Sequence, residues 1–168
     1  MYEVLILTFA LGVLTKSADI GGKSRFSYLA GGVYGVLAAY ILSNYPVLAP
    51  LGLSIVLAVL LTGKIDTGAH AFGIAFMLLF LGVWGFRGVD LILLVIFLLA
   101  GVADEIMNDL ADSRRIKGKF AKIFGKRVIL ETTAFFVSFL TNEWLMFLGM
   151  ISYDTGYVIA NALSGRFK

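Results

Sequence analysis

The chain has 168 residues, of which 60% are hydrophobic and only 15% are charged, and its formal net charge is +3. Soluble domains usually carry about a quarter of their residues as Asp, Glu, Lys and Arg, so this composition excludes an ordinary soluble domain. Cysteine is absent from the sequence, which excludes disulfides, thiolate metal sites and a cysteine nucleophile. Seven membrane crossings of roughly 20 residues would use about 140 residues, which leaves no room for a second domain.

Seven apolar segments follow one another along the sequence. Their apolar runs are continuous, as over residues 91–97, and this predicts helices rather than the alternating strands of a membrane barrel. We therefore expect an all-α integral membrane protein, a single domain over residues 1–168 that forms a compact bundle of about seven transmembrane helices. The predicted segments are Tyr2–Lys16, Phe26–Leu42, Val47–Thr62, His70–Phe86, Val89–Ala103, Val128–Leu140 and Trp144–Leu163.

The basic residues are distributed unevenly between the two sides of such a bundle. When seven helices are threaded alternately, 13 of the 14 Lys and Arg residues fall on one side and only Arg87 falls on the other. The positive-inside rule then predicts an N-terminus outside and a C-terminus in the cytoplasm. The expected location is a prokaryotic cytoplasmic membrane.

The loop after the fifth segment is a basic segment at about residues 113–127, in which cations alternate with Phe120, Ile123 and Phe124. This pattern is typical of a short interfacial helix lying on anionic lipid. We therefore expect membrane lipids, including anionic headgroups, as partners, and we expect no nucleic acid. The oligomeric state is left open.

The second segment carries a stripe of small residues. Gly31, Gly35 and Ala39 are spaced by four, so they lie on one face of a helix and predict the close approach of another helix.

A run of acidic residues ends the fifth segment. On a continuing helix Glu105, Asp109 and Asp112 share one face, and their carboxylate oxygens suit Mg²⁺ or another hard divalent cation. These three residues are therefore the predicted metal ligands. Arg114 and Arg115 follow directly and are predicted to bind the oxygens of a phosphate group. The alternative is a solvated helix end whose acids pair with the cations of the next loop.

The string from Asn108 through Asp109 to Asp112 resembles the opening of the NDxxDxxxD motif of intramembrane aromatic prenyltransferases. The likeness covers a short stretch only, because the last Asp of the motif and the second Asp-rich motif of that family are absent, and the chain is too short for its helix count. What the resemblance implies is Asp-rich diphosphate chemistry, without membership of the family.

Asp154 lies near the middle of the last segment, where a carboxylate costs on the order of 3 kcal/mol or more unless it is protonated, paired or hydrated. Tyr157 and Asn161 continue a polar stripe from it, and Glu131 begins another on the sixth segment. With a third stripe on the first segment, these residues predict a cytoplasm-facing, carboxylate-rich cavity lined by the first, sixth and seventh helices. Asp154 and Glu131 are its candidate catalytic residues. The alternative is a hydrogen-bond network that only holds the bundle together.

His70 is the one histidine of the sequence, and Asp66 lies four residues before it. One His and one Asp are too few for a zinc site. The favoured interpretation is an interfacial histidine with a local hydrogen bond, and the roles of His70 and Asp66 stay open.

Two classes of function fit these observations. The first is a divalent-cation-dependent enzyme that acts on a lipid phosphate or a prenyl diphosphate at the cytoplasmic leaflet. The second is a small cation- or proton-coupled transporter or ion-binding membrane protein. A helical scaffold is a third possibility. No P-loop or dinucleotide fingerprint is present, and we expect no nucleotide, flavin or haem. Because polarity is concentrated in the cytoplasmic half of the helices, the sequence favours a one-sided site over a pore, and whether the protein is an enzyme stays open.

Overall fold

The computed structural model describes residues 2–20, 24–65, 67–85, 87–113, 115–116, 118 and 128–164. The prediction of an all-helical chain is confirmed for this part: it contains helices and turns, and no strand. Within these ranges the seven α-helices are α1 (Tyr2–Ile20), α2 (Arg25–Asn44), α3 (Ala49–Leu61), α4 (Gly68–Trp84), α5 (Leu91–Asp112), α6 (Val128–Thr141) and α7 (Leu145–Ser164), with a short 3-10 turn at Pro46–Leu48. Asp66, Arg114 and most of the predicted interfacial segment lie outside the described residues.

Three helices begin at residues whose side chains accept hydrogen bonds from the first turn. Ser24 accepts from the backbone N–H of Ser27 at the start of α2, and Thr67 accepts from that of His70 at the start of α4. Asp90 accepts from two N–H groups at the start of α5. Such caps satisfy donors that have no partner inside the helix. The cap at Thr67 therefore fixes His70 in the first turn of α4.

The helices form a bundle in which α1 lies between α2 and α7. Helix α2 packs against α4, α3 packs against α5, and α6 connects α5 with α7. The main core cluster draws on both halves of the chain, with Phe97, Leu130 and Met146 among its fully buried side chains. One continuous core thus joins the first helix to the last two.

Helices α1 and α7 contact each other through two glycines. A Cβ added at Gly12 would overlap the carbonyl oxygen of Tyr153, and a Cβ added at Gly156 would overlap that of Phe9. The backbones of α1 and α7 are therefore in direct contact, with a glycine of each helix against a carbonyl group of the other, as in membrane helix pairs built on small residues.

Helices α2 and α4 are joined in the same way. A Cβ at Gly31 would overlap the carbonyl oxygen of Ala69, and one at Gly35 would overlap that of Gly73. Gly73 in turn leaves room for the ring of Tyr34, which a Cβ there would overlap. The close approach predicted from the small-residue stripe is confirmed at these two positions.

Among the described residues, two helices are long and apolar enough to cross a membrane, namely α2 and α5. Three apolar stretches are shorter: Pro46–Leu61, Gly68–Trp84 and Val128–Thr141. Buried core helices of soluble proteins meet the same criterion, but only 22% of the apolar window of α5 is buried, against 56% of that of α2. Helix α5 therefore presents most of its apolar surface to the surroundings.

Candidate functional site

Polar side chains of four helices meet at one end of the bundle, where α1 and α7 finish and α2 and α4 begin. We call them the His70 cluster. Its members are Lys16 and Asp19 of α1, Tyr34 of α2, His70 of α4 and Tyr157 of α7. The alternate threading of seven helices assigns 13 of the 14 Lys and Arg residues of the sequence to this side, so we call it the basic end.

His70 has a partner at each ring nitrogen. Its Nε2 lies 2.5 Å from Oδ1 of Asp19, and its Nδ1 lies 3.1 Å from the hydroxyl oxygen of Tyr34. The two side chains of the pair are about one fifth and one quarter exposed, at 20% for His70 and 27% for Asp19. The imidazole is thus held in one orientation but is still reached by solvent.

The Tyr34 hydroxyl also contacts a second atom of His70, its backbone carbonyl oxygen. It donates to the backbone carbonyl oxygen of His70 at 3.0 Å. A tyrosine hydroxyl has only one proton to donate, so when this bond is made the hydroxyl can only accept at Nδ1. Nδ1 must then carry a proton, and Asp19, as a carboxylate, accepts from Nε2.

The second carboxylate oxygen of Asp19, Oδ2, has partners on α1 itself and on α7. The hydroxyl of Tyr157 donates to Oδ2 at 2.8 Å, and the ammonium of Lys16 lies 3.5 Å from the same oxygen. Lys16 also reaches the Tyr157 hydroxyl at 3.3 Å and lies over its ring. Asp19 therefore has a cation and a hydroxyl as neighbours in addition to His70.

A second group of charges joins α5 to the residues that follow α3. Lys64 forms ion pairs with Glu105 at 3.0 Å and Asp109 at 2.8 Å, and it donates to the carbonyl oxygen of Glu105 at 2.7 Å. Burial alone would lower the pKa of the Lys64 ammonium, but hydrogen bonds to the two carboxylates, and their charges, raise this pKa above its usual value. Lys64 is therefore protonated at neutral pH.

Two of the three predicted metal ligands are thus brought together, and a cation lies between them. Asp112 is exposed at the end of α5, and Arg115 is exposed beyond it. Within the described ranges, no group of three or more His, Asp or Glu side chains has an arrangement that could hold a metal ion. The metal-ligand role of these residues, and the phosphate-binding role of Arg115, stay predictions.

A buried carboxylate that the sequence did not single out holds α6 in place. Asp104 is 3% exposed and accepts from the backbone N–H groups of Ile129 at 3.0 Å and Leu130 at 2.7 Å. It therefore caps the first turn of α6 from a neighbouring helix, and its negative charge faces the positive end of the α6 dipole. A cavity of about 10 Å³, with room for about one water molecule, is lined by Asp104 and Glu105.

The two predicted catalytic acids lie at different depths in the bundle. Glu131 is in the first turn of α6, close to the basic end, whereas Asp154 is the tenth residue of α7, roughly 15 Å from its end at 1.5 Å per residue. Both side chains are partly buried. The interface predicted to line a cavity is filled at the level of Gly12 and Gly156 by contacting backbone. The catalytic roles of the two acids stay predictions.

No protein-family model, curated protein or solved structure matches this chain.

Proposed function

We propose that this chain is an integral membrane protein whose helices cross the bilayer with the basic end in the cytoplasm. Large apolar side chains that face outward support this proposal, because soluble monomers rarely expose wide apolar surfaces. On α5, Leu91 and Ile92 are 71% and 74% exposed, and on α6, Phe139 and Leu140 are 65% and 80% exposed. A lipid environment favours apolar side chains that face outward in this way. The uneven distribution of basic residues gives the orientation of the helices in the bilayer, with the basic end in the cytoplasm.

We further propose that the protein binds an ion at the basic end, that the ion is a proton, and that His70 takes it up. This is the ion-binding or proton-coupled class of function. The observation that carries the proposal is the pair of partners at His70: Asp19 at Nε2 and the Tyr34 hydroxyl at Nδ1. Histidine is the side chain whose charge changes most readily near neutral pH.

The same contacts serve both protonation states of the imidazole. In the charged state Nδ1–H donates to the Tyr34 oxygen, and the Tyr34 hydroxyl donates to the backbone carbonyl of His70. In the neutral state the hydroxyl proton turns to Nδ1, and Nε2–H still donates to Asp19. Gaining or losing the proton thus requires only one hydroxyl rotation, and the ring keeps a partner at each nitrogen.

The proton-binding proposal predicts a titration of His70 that depends on Asp19. Because the sequence has one histidine, ¹⁵N-histidine labelling of protein purified without a histidine tag reports this ring alone. We expect both ring nitrogens to reach imidazolium shifts as the pH falls from about 9 to about 5. Asp19→Asn should change the midpoint, because Nε2 then faces an amide in place of a carboxylate.

Asp90→Asn, a carboxylate at the opposite end of the bundle, is the control and should leave the midpoint unchanged. Ring-nitrogen signals that stay constant over this pH range would show that His70 does not exchange a proton, and the proposal would be wrong.

A second candidate function is the divalent-cation-dependent enzyme acting on a lipid phosphate or prenyl diphosphate. The observation that favours it is that Glu105 and Asp109 direct carboxylate oxygens at one point, which the Lys64 ammonium occupies. Oxygen ligands of this kind suit Mg²⁺ or Mn²⁺. In this function Lys64 competes with the metal, and Asp112 supplies a further carboxylate.

The metal-site candidate predicts binding that the acids support and Lys64 weakens. Isothermal titration with Mn²⁺ should show binding that is lost in Asp109→Ala/Asp112→Ala and about tenfold tighter in Lys64→Met, since the competing ammonium is gone. Glu143→Ala, an exposed acid near the opposite end, is the control. No binding by either the unaltered chain or Lys64→Met would remove the metal site.

A further inference from the structure

The bundle contains two helix pairs that are each fixed by backbone contact. The α1–α7 pair is joined at Gly12 and Gly156, and the α2–α4 pair is joined at Gly31 and Gly35. Contacts of this kind leave no layer of side chains that can slide or repack. Each pair therefore moves as one body if the bundle changes shape.

The His70 cluster lies across the joint between these pairs. His70 and Tyr34 belong to the α2–α4 pair, whereas Lys16, Asp19 and Tyr157 belong to the α1–α7 pair. The bond from His70 to Asp19 is therefore a bond between the two bodies.

The apolar packing around this joint is built from small side chains. Its buried cluster consists of Ala18, Ala30, Ala69 and Tyr34, with Leu11 and Leu14 against it. Three alanines contribute little apolar area compared with the Phe, Leu and Met side chains of the main core. At the basic end the joint is therefore held by little apolar area, by the bond from His70 to Asp19, and by the bond that the Ser27 hydroxyl donates to the Ala18 carbonyl oxygen at 2.8 Å.

We propose that the proton on His70 works as a latch that holds the α2–α4 pair against the α1–α7 pair at the basic end. This inference rests on the proton-binding function proposed above and adds what the proton controls. With His70 charged, an ion pair to Asp19 closes the joint. With His70 neutral, only a neutral donor faces the carboxylate, and the attraction across the joint is weaker.

Opening the joint leaves Asp19 with Tyr157 and Lys16 as partners within its own pair, and leaves Nδ1 of His70 with Tyr34 within the other. Nε2 of His70 loses Asp19, and the Ser27 hydroxyl loses the Ala18 carbonyl oxygen. Unpaired buried groups are the usual penalty for separating such surfaces, and here it falls on these two groups, of which the imidazole is already reached by solvent. The groups that face His70 across or beside the joint are Asp19 and Lys16 from α1, Tyr34 from α2, and Tyr157 from α7.

Distance measurement between the pairs tests the latch. Because the sequence has no cysteine, Leu29→Cys on α2 and Ala162→Cys on α7 can be spin-labelled as the only two thiols; both positions are exposed. In lipid nanodiscs we expect the distance distribution to be narrow at low pH. Above the His70 titration midpoint it should broaden and lengthen, with a shift on the order of 1–2 Å.

Matched variants separate the latch from a general pH effect. Labels at Leu29→Cys and Ala75→Cys, both within the α2–α4 pair, should give a distance that does not depend on pH. His70→Gln keeps a side chain that can hydrogen-bond but cannot titrate, so the distance between the pairs should lose its pH dependence. Asp19→Asn supplies the same test from the other side of the joint.

The outcomes distinguish this inference from the function on which it rests. If His70 titrates in the nitrogen spectra while the distance between the pairs stays constant, the latch is wrong and proton binding stands. If the pH-dependent distance persists in both His70→Gln and Asp19→Asn, another group moves the helices and the latch is again wrong. If His70 does not titrate at all, the proposed function itself fails.

Discussion

Gly12→Ala is expected to lower the free energy of unfolding by about 1–3 kcal/mol, the range in which extra methylenes in a packed interior destabilise a protein. The added Cβ overlaps the carbonyl oxygen of Tyr153, and backbone cannot move aside as a flexible side chain can. Gly156→Ala meets the carbonyl oxygen of Phe9 and should behave in the same way. The two variants change one interface, so the double variant should cost less than the sum of the single ones.

The sign of this effect is opposite to what helix propensity alone predicts. Alanine is preferred over glycine in a helix by roughly 0.5–1 kcal/mol. Replacing an uncrowded helical glycine by alanine should therefore raise the free energy of unfolding. Gly82 in α4 has nothing within 4 Å of its added Cβ and is the matched control. Unfolding titrations in mixed detergent should rank Gly82→Ala above the unaltered chain and Gly12→Ala below it. A Gly12→Ala protein as stable as the control would show that α1 and α7 are not in backbone contact.

Asp104→Ala is expected to lower the free energy of unfolding by about 2–4 kcal/mol. The buried carboxylate accepts from two backbone N–H groups of α6, and hydrogen bonds to charged groups are each worth about 1.5–3 kcal/mol. Removing the carboxylate leaves the N–H groups of Ile129 and Leu130 without this acceptor. Asp104→Asn keeps one acceptor oxygen and should have an intermediate effect.

Asp90 provides the comparison for this prediction. It also accepts from two backbone N–H groups, those of Ile92 and Leu93, but at an exposed helix start where water can replace it. Asp90→Ala should therefore cost about 0.5–2 kcal/mol, the usual range for a cap. The same unfolding titration measures both. Equal losses for Asp90→Ala and Asp104→Ala would contradict the idea that burial makes the second cap stronger.

The helices were predictable because each is marked by a run of apolar residues that ends at polar residues or glycine. Boundaries were predicted less well where polar residues continue a helix. Ser17 to Ile20 extend α1 beyond the predicted segment, and Asp104 to Asp112 extend α5. A pattern based on hydrophobicity ends at such residues, although nothing in their backbone preferences stops the helix.

The partners of the candidate site were less accessible to sequence reasoning. The acid nearest to His70 in sequence is Asp66, whereas the described partner is Asp19, which lies 51 residues earlier. Only the packing of α1 between α2 and α7 brings that carboxylate to the imidazole. Asp19 continues the polar stripe of the first segment, and this stripe is the one signal for it in the sequence.

Asp104 shows a different limit of sequence reasoning. It belongs to the acidic run that ends the fifth segment, but its role depends on where the next helix begins. Residues 113–127 lie between that run and the described start of α6, and no local pattern tells which side chain lies beside an N-terminus so much later in the sequence. Lys64 is a related case, since its pairing with Glu105 and Asp109 depends on the packing of α3 against α5.

The contact between α1 and α7 has a consequence for how the protein is made. Lys16 and Tyr157, which meet at this interface, are 141 residues apart in the sequence. At roughly 5–20 residues per second, translation takes on the order of 10–30 seconds to span that distance. During that time, in the membrane orientation proposed above, the glycine face of α1 must remain in the bilayer without its partner. Small-residue faces associate readily with other helices, so an insertase or chaperone that shields this face would raise the yield of correctly assembled protein.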